Sequence, residues 1–129
     1  MPDTETARLL LSAARRDLQA LEHMLDEQAF PLEIFGFHAQ QALEKTLKSC
    51  LAIAGVDIPL THNIRHLLVL LETAGFSMGD LWDLVFLTAF AVQFRYEAFD
   101  NIEDSLDRLA LLTRLQTLME QTTLKLKSI

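Results

Sequence analysis

Phe35-Gly36-Phe37-His38-Ala39-Gln40-Gln41-Ala42-Leu43-Glu44-Lys45-Thr46-Leu47-Lys48-Ser49-Cys50-Leu51 is the stretch on which the reading of the chain turns. At helical spacing it has two faces. Ala39, Leu43, Leu47 and Cys50 fall on one stripe, with Ala42, Thr46 and Leu51 beside it. His38, Gln41, Lys45 and Lys48 recur at steps of three and four and make a second, polar stripe. A solvated face is the ordinary meaning of such a stripe. Its content allows a sharper one, because an imidazole, an amide and two ammonium groups can all donate to an anion, and Glu44 is the only acid close by.

Outward from this stretch, the helix is expected over residues 31–54, with Pro31 in its first turn and Gly55 as its left-handed stop. Gly36 lies inside it, a position where Gly costs up to about 1 kcal/mol relative to Ala unless something approaches the backbone closely. Upstream, Ala7, Leu11, Ala14, Leu18, Leu21 and Leu25 alternate at steps of four and three, which predicts a helix over 4–26 with a packing seam. Arg8, Arg15 and Arg16 fall off the seam, toward water.

Downstream, residues 55–61 form the longest connection, and Thr61 is expected to cap a helix over 62–74 that buries Ile64, Leu67, Leu68 and Leu71 and stops at Gly75. His62 and His66 have a spacing that can ligate metal. No His-Glu-x-x-His pattern or nearby third ligand accompanies them, so no metal site is assigned, and His62 is read as a hydrogen-bonding group that orders the loop. Ser77-x-x-Asp80 resembles a capping box for a fourth helix over 81–94. Eleven of those fourteen residues are apolar, too wide an arc for one neighbour, so this helix is expected to be central or to be covered by a second chain, in a homodimer or a partner interface. Arg95 and Tyr96 end it. Asn101 is expected to cap a last helix reaching 125 that buries Leu106, Leu109, Leu112, Leu115 and Met119.

Composition narrows the class. A chain of 129 residues, half hydrophobic, with only 4 Gly and 3 Pro, points to one all-α domain over 1–129: an up-and-down helical bundle of four long helices and one short one. The single Cys50 excludes an internal disulfide and sits on the apolar stripe. No apolar run reaches the roughly 18 residues of a membrane span, and the polar start is not a signal peptide, so a cytoplasmic location is expected. The net charge of −7 argues against broad phosphate-backbone binding but permits a local site for a nucleotide or RNA end. Neither a nucleophile elbow nor a phosphate-cradling Gly-rich loop is present, and no cofactor is implied.

The run His38-Ala39-Gln40-Gln41-x-x-Glu44-Lys45-x-Leu47-Lys48, followed by Thr61-His62 and by Arg95-Tyr96, resembles the HEPN domain family over about residues 4–126. Many proteins of that family are metal-independent ribonucleases with an Arg and, after four to six intervening residues, a His. Arg95 matches the Arg, but the positions for the His hold Asp100, Asn101 and Ile102, so no catalytic residue is assigned. An Asp with an ordinary pKa near about 3.9 is a poor base at neutral pH. The other branch that the chain resembles is the small stand-alone partner of a minimal nucleotidyltransferase, a helical dimer. That resemblance implies a nucleotide site of His38, Gln41, Lys45, Arg95 and Tyr96, with Lys45 and Arg95 on phosphate and Tyr96 stacking on a base. The alternatives are a ribonuclease toxin with an atypical second group and a purely structural dimerisation module. An internal polar network of Glu44, Lys45, Arg95 and Tyr96 is the structural counterpart to the site.

Overall fold

A computed structural model of the protein describes residues 1–93 and 106–129. Its regular structure among those residues is helical throughout. Arg95, Tyr96, Asn101 and the acids around them lie outside the described residues.

Helix α1 (Thr4–Glu22) is capped by Asp3, whose carboxylate accepts from the Thr6 N–H at 3.1 Å. Ala7, Leu11, Ala14 and Leu21 are buried as the seam predicts, but the helix stops short of residue 26 and Leu25 is exposed. Asp26 explains the early stop. Its side chain accepts from the Gln28 N–H at 2.9 Å and its carbonyl from Ala29 and Phe30, so a local turn replaces the next helical turn.

Helix α2 (Leu32–Ala54) ends at Gly55 with φ +74°, where the Gly55 and Val56 N–H groups donate back to Ala52 and Leu51. It runs antiparallel to α1. Asp17 faces Lys45, Ser49 Oγ donates to the Ala7 carbonyl at 2.9 Å, and the Asp3 N–H donates to the Ala52 carbonyl at 2.8 Å. Every residue expected on the apolar stripe is buried, Cys50 included.

Helix α3 (Ile64–Thr73) starts two residues later than expected. Asn63, not Thr61, is its cap and accepts from the His66 N–H at 3.2 Å, while Thr61 Oγ1 accepts from Asn63 N. The direction of α3 is also informative. His62 meets Glu44 in the middle of α2, and Met78, beyond the end of α3, lines the same cleft as Cys50. The connection after Gly55 therefore carries the chain back along α2, and α3 runs in the same direction as α2.

The expected fourth long helix is not what forms. Gly79–Leu87 is a 3₁₀ helix, and a short α4 (Thr88–Gln93) follows it. No side chain caps its start, so the Ser77-x-x-Asp80 box is not made. The cause is legible in the spacing: Leu81, Leu84, Leu87 and Phe90 are all buried, and they recur every three residues, the repeat of a 3₁₀ helix. Trp82, Val85 and Thr88 make the next row, turned toward α3. Trp82 Nε1 donates to Glu72 at 2.8 Å, and Thr88 Oγ1 accepts from the otherwise unpaired Ile64 N–H at 3.0 Å. Asp83 and Phe86, in the third row, are exposed.

Helix α5 (Arg108–Lys127) is capped by Asp107, which accepts from the Ala110 N–H at 3.0 Å; residues 106 and 107 are not helical. It packs antiparallel to α1, with Arg15 on Thr123 and Gln116 on Glu22. Leu112, Leu115 and Met119 are buried as expected, but Leu109 is 61% exposed. Its place is taken by Arg108, whose guanidinium donates to the Met24 carbonyl at 2.8 Å and lies 5.0 Å from the Phe35 ring centroid.

Gly36 is explained by this arrangement. A Cβ built there would lie 2.3 Å from the Phe90 ring. The absent side chain lets α4 press an aromatic face onto the α2 backbone.

Candidate functional site

The polar face of α2 is organised by two buried carboxylates. The first is Asp17, which sits on the buried side of α1 and holds both His38 and Lys45: His38 Nδ1 is 2.9 Å from Oδ1, and Lys45 Nζ donates to Oδ2 at 2.7 Å. An ionised carboxylate only accepts, so His38 donates to Asp17 through Nδ1–H. The His38 and Lys45 side chains are about a third exposed, whereas Asp17 is nearly enclosed. Phe37 meets the His38 ring edge-on at 5.5 Å between centroids.

The second carboxylate is Glu44. Gln40 Nε2 donates to it at 2.8 Å, His62 Nδ1 lies at 2.9 Å and Lys48 Nζ at 3.0 Å. Burial pushes the Glu44 carboxyl up, but hydrogen bonds from Gln40, His62 and Lys48 outweigh it, and the net direction is below the ordinary value. Gln40 also donates to the His62 carbonyl at 3.2 Å and accepts from Gln41 Nε2 at 2.7 Å. This cluster pins the returning loop to α2, the ordering role expected of His62.

Of the residues expected to make a nucleotide site, His38 and Lys45 are brought together on one acid, and Gln41 stands beside them in the Gln40–Glu44 chain. Arg95 and Tyr96 fall outside the described residues. Of the internal network expected of Glu44, Lys45, Arg95 and Tyr96, the two described members do not join: Lys45 answers to Asp17, and Glu44 to Gln40, His62 and Lys48. Lys45 keeps two ammonium protons beyond its bond to Asp17. Sequence reasoning missed Asp17 and Gln40. Asp17 was detectable: it is three residues after Ala14 and four before Leu21, an acid on the seam that faces the next helix. Among the described residues, no three His, Cys, Asp or Glu side chains gather as metal ligands, and no helix is long and apolar enough to cross a membrane.

The family model of the HEPN domain matches residues 7–121, and the chain belongs to that family. No curated protein and no solved structure matches it.

Proposed function

We propose that this HEPN-family chain is the non-catalytic helical partner of a minimal nucleotidyltransferase and binds a nucleotide on the polar face of α2. The observation that carries the nucleotide reading is Asp17. Buried between α1 and α2, it holds His38 and Lys45 side by side and about a third exposed, so two groups that can meet a nucleotide are already oriented. Lys45 donates to phosphate, Gln41 lies within the same face, and Arg95 and Tyr96 supply a second cation and a stacking ring. The absence of a His after Arg95 in the ribonuclease pattern supports a partner over a nuclease. In the same reading, the exposed Phe86 belongs to the surface that a second copy covers.

The test is a thermal-shift titration with ATP, GTP and a short RNA, run on wild type, Lys45→Ala and Arg95→Ala. Ligand at about 100 times its dissociation constant adds roughly 2.7 kcal/mol and raises the Tm. A rise in wild type that vanishes in both variants supports the site. No rise, with both variants merely less stable, would reduce the polar face to a structural network. Sedimentation velocity of the same sample tests the dimer. Co-purification with the product of a neighbouring reading frame carrying a Gly-Ser and Asp-x-Asp nucleotidyltransferase signature tests the partner.

A further inference from the structure

A concavity lies between α5 and the start of the 3₁₀ helix, and the α2 polar face takes no part in it. It is a cleft of about 400 Å³, within the roughly 300–1,000 Å³ typical of small-molecule sites. Its floor is apolar and rich in sulfur: Cys50, Met78, Leu81 and Leu118, each less than a tenth exposed. Thr122 closes the floor beside Cys50. The Thr122 hydroxyl donates to the Leu118 carbonyl at 2.8 Å, so its 3.4 Å contact with Cys50 Sγ has the thiol as donor. Burial raises the Cys50 thiol, which marks it as a neutral packing group and not a nucleophile.

The rim differs from the floor. Thr117, Gln121 and Lys125 recur at steps of four along α5 and line the cleft, and none of their side chains makes a hydrogen bond among the described residues. Arg114, at the other end, is fully engaged by Asp83 and the Asp80 carbonyl. Lys125 is thus the cation of the rim without a carboxylate partner. Its ammonium rests 4.4 Å from the Phe76 ring centroid, which fixes it at the end of the cleft, and its charge reaches Cys50, where it opposes the rise of the thiol.

We infer that this cleft binds a small aromatic carboxylate. The ring lies on the Met78 and Cys50 sulfurs, which favour aromatic contacts. The carboxylate meets Lys125, and Thr117 and Gln121 bond the polar edge of the ligand.

Titration with indole-3-acetate, followed by the NMR methyl resonances of Met78 and Leu118, tests this on the whole chain. Saturable shifts are expected. Lys125→Met keeps the aliphatic stem and removes the charge; it should weaken binding about tenfold, the scale of one charge-assisted hydrogen bond. The neutral indole-3-acetamide should bind wild type about as weakly as the acid binds that variant. Thr117→Trp, an exposed rim substitution that places a ring over the floor, should abolish the shifts while circular dichroism stays unchanged. No saturable shift up to about 10 mM overturns the assignment. Equal binding of acid and amide, or indifference to Lys125→Met, overturns it as well.

Discussion

Helix α2 and the segment Gly79–Gln93 both bury an apolar side in the core, yet one reads correctly at helical spacing and the other does not. Their difference is one of period. In α2 the buried residues advance by three and four, so the apolar stripe leaves room for a polar face bearing two acid-centred clusters. In the other wall they advance by three alone, which turns a 3₁₀ helix into three straight rows: one buried in the core, one against α3, one outward. High apolar content announces burial in both cases. Only the spacing says which helix does the burying.

The walls meet at Gly36 and Phe90, where the largest effect is expected. Phe90→Ala removes a fully buried ring and should cost about 3–5 kcal/mol in urea unfolding. Gly36→Ala places a methyl group where the ring now sits and should cost about 1–3 kcal/mol by overpacking. In the double variant the methyl enters vacated space, so the combined loss should fall well short of the sum. Strict additivity would mean that the two residues do not touch.

A somewhat smaller effect sharpens the period itself. Leu87→Ala should cost about 2–5 kcal/mol, because the residue is fully buried, whereas Phe86→Ala, at a partly exposed ring, should cost clearly less. An α-helix continued from Leu81 and Leu84 would turn Leu87 away from the core and bring Val85 toward it. If Val85→Ala proved costlier than Leu87→Ala, the 3₁₀ assignment would be wrong.

What the sequence could disclose follows from the same physics. The stripe of α2, its Gly55 stop and the burial of Ile64, Leu67, Leu68 and Leu71 rest on local periodicity and glycine geometry, and they were readable. The end of α1 was not, because Asp26 forms a turn that competes with a seam still running through Leu25. Nor was the phase of α5. Leu109 was expected in the core, but the Met24 carbonyl and the Phe35 ring offer a buried place to the Arg108 guanidinium, and Leu109 faces water. At the candidate site, His38, Gln41 and Lys45 were visible as a polar row. That His38 and Lys45 answer to Asp17, 21 residues before His38, depends on how α1 lies on α2, which no local pattern states. The return of the loop to Glu44 was hidden for the same reason, although the ordering role of His62 was anticipated.

The smallest of these effects acts on what distinguishes α2, its charged side. Glu44→Gln keeps the shape and removes the charge that Lys48 and His62 answer, and should cost about 1–3 kcal/mol near neutral pH. Its pH dependence carries more information than its size. The folded-state pKa of Glu44 lies below the ordinary 4.5, so its ionised form contributes stability that is fully present above that value and is lost as the pH falls through the lowered one. Stability curves of wild type and Glu44→Gln should therefore run parallel above about pH 4.5 and converge below it. A gap that stayed constant down to strong acid would show that packing, not charge, is what Glu44 supplies. The polar face of α2 would then be no more electrostatic than the 3₁₀ wall across the core.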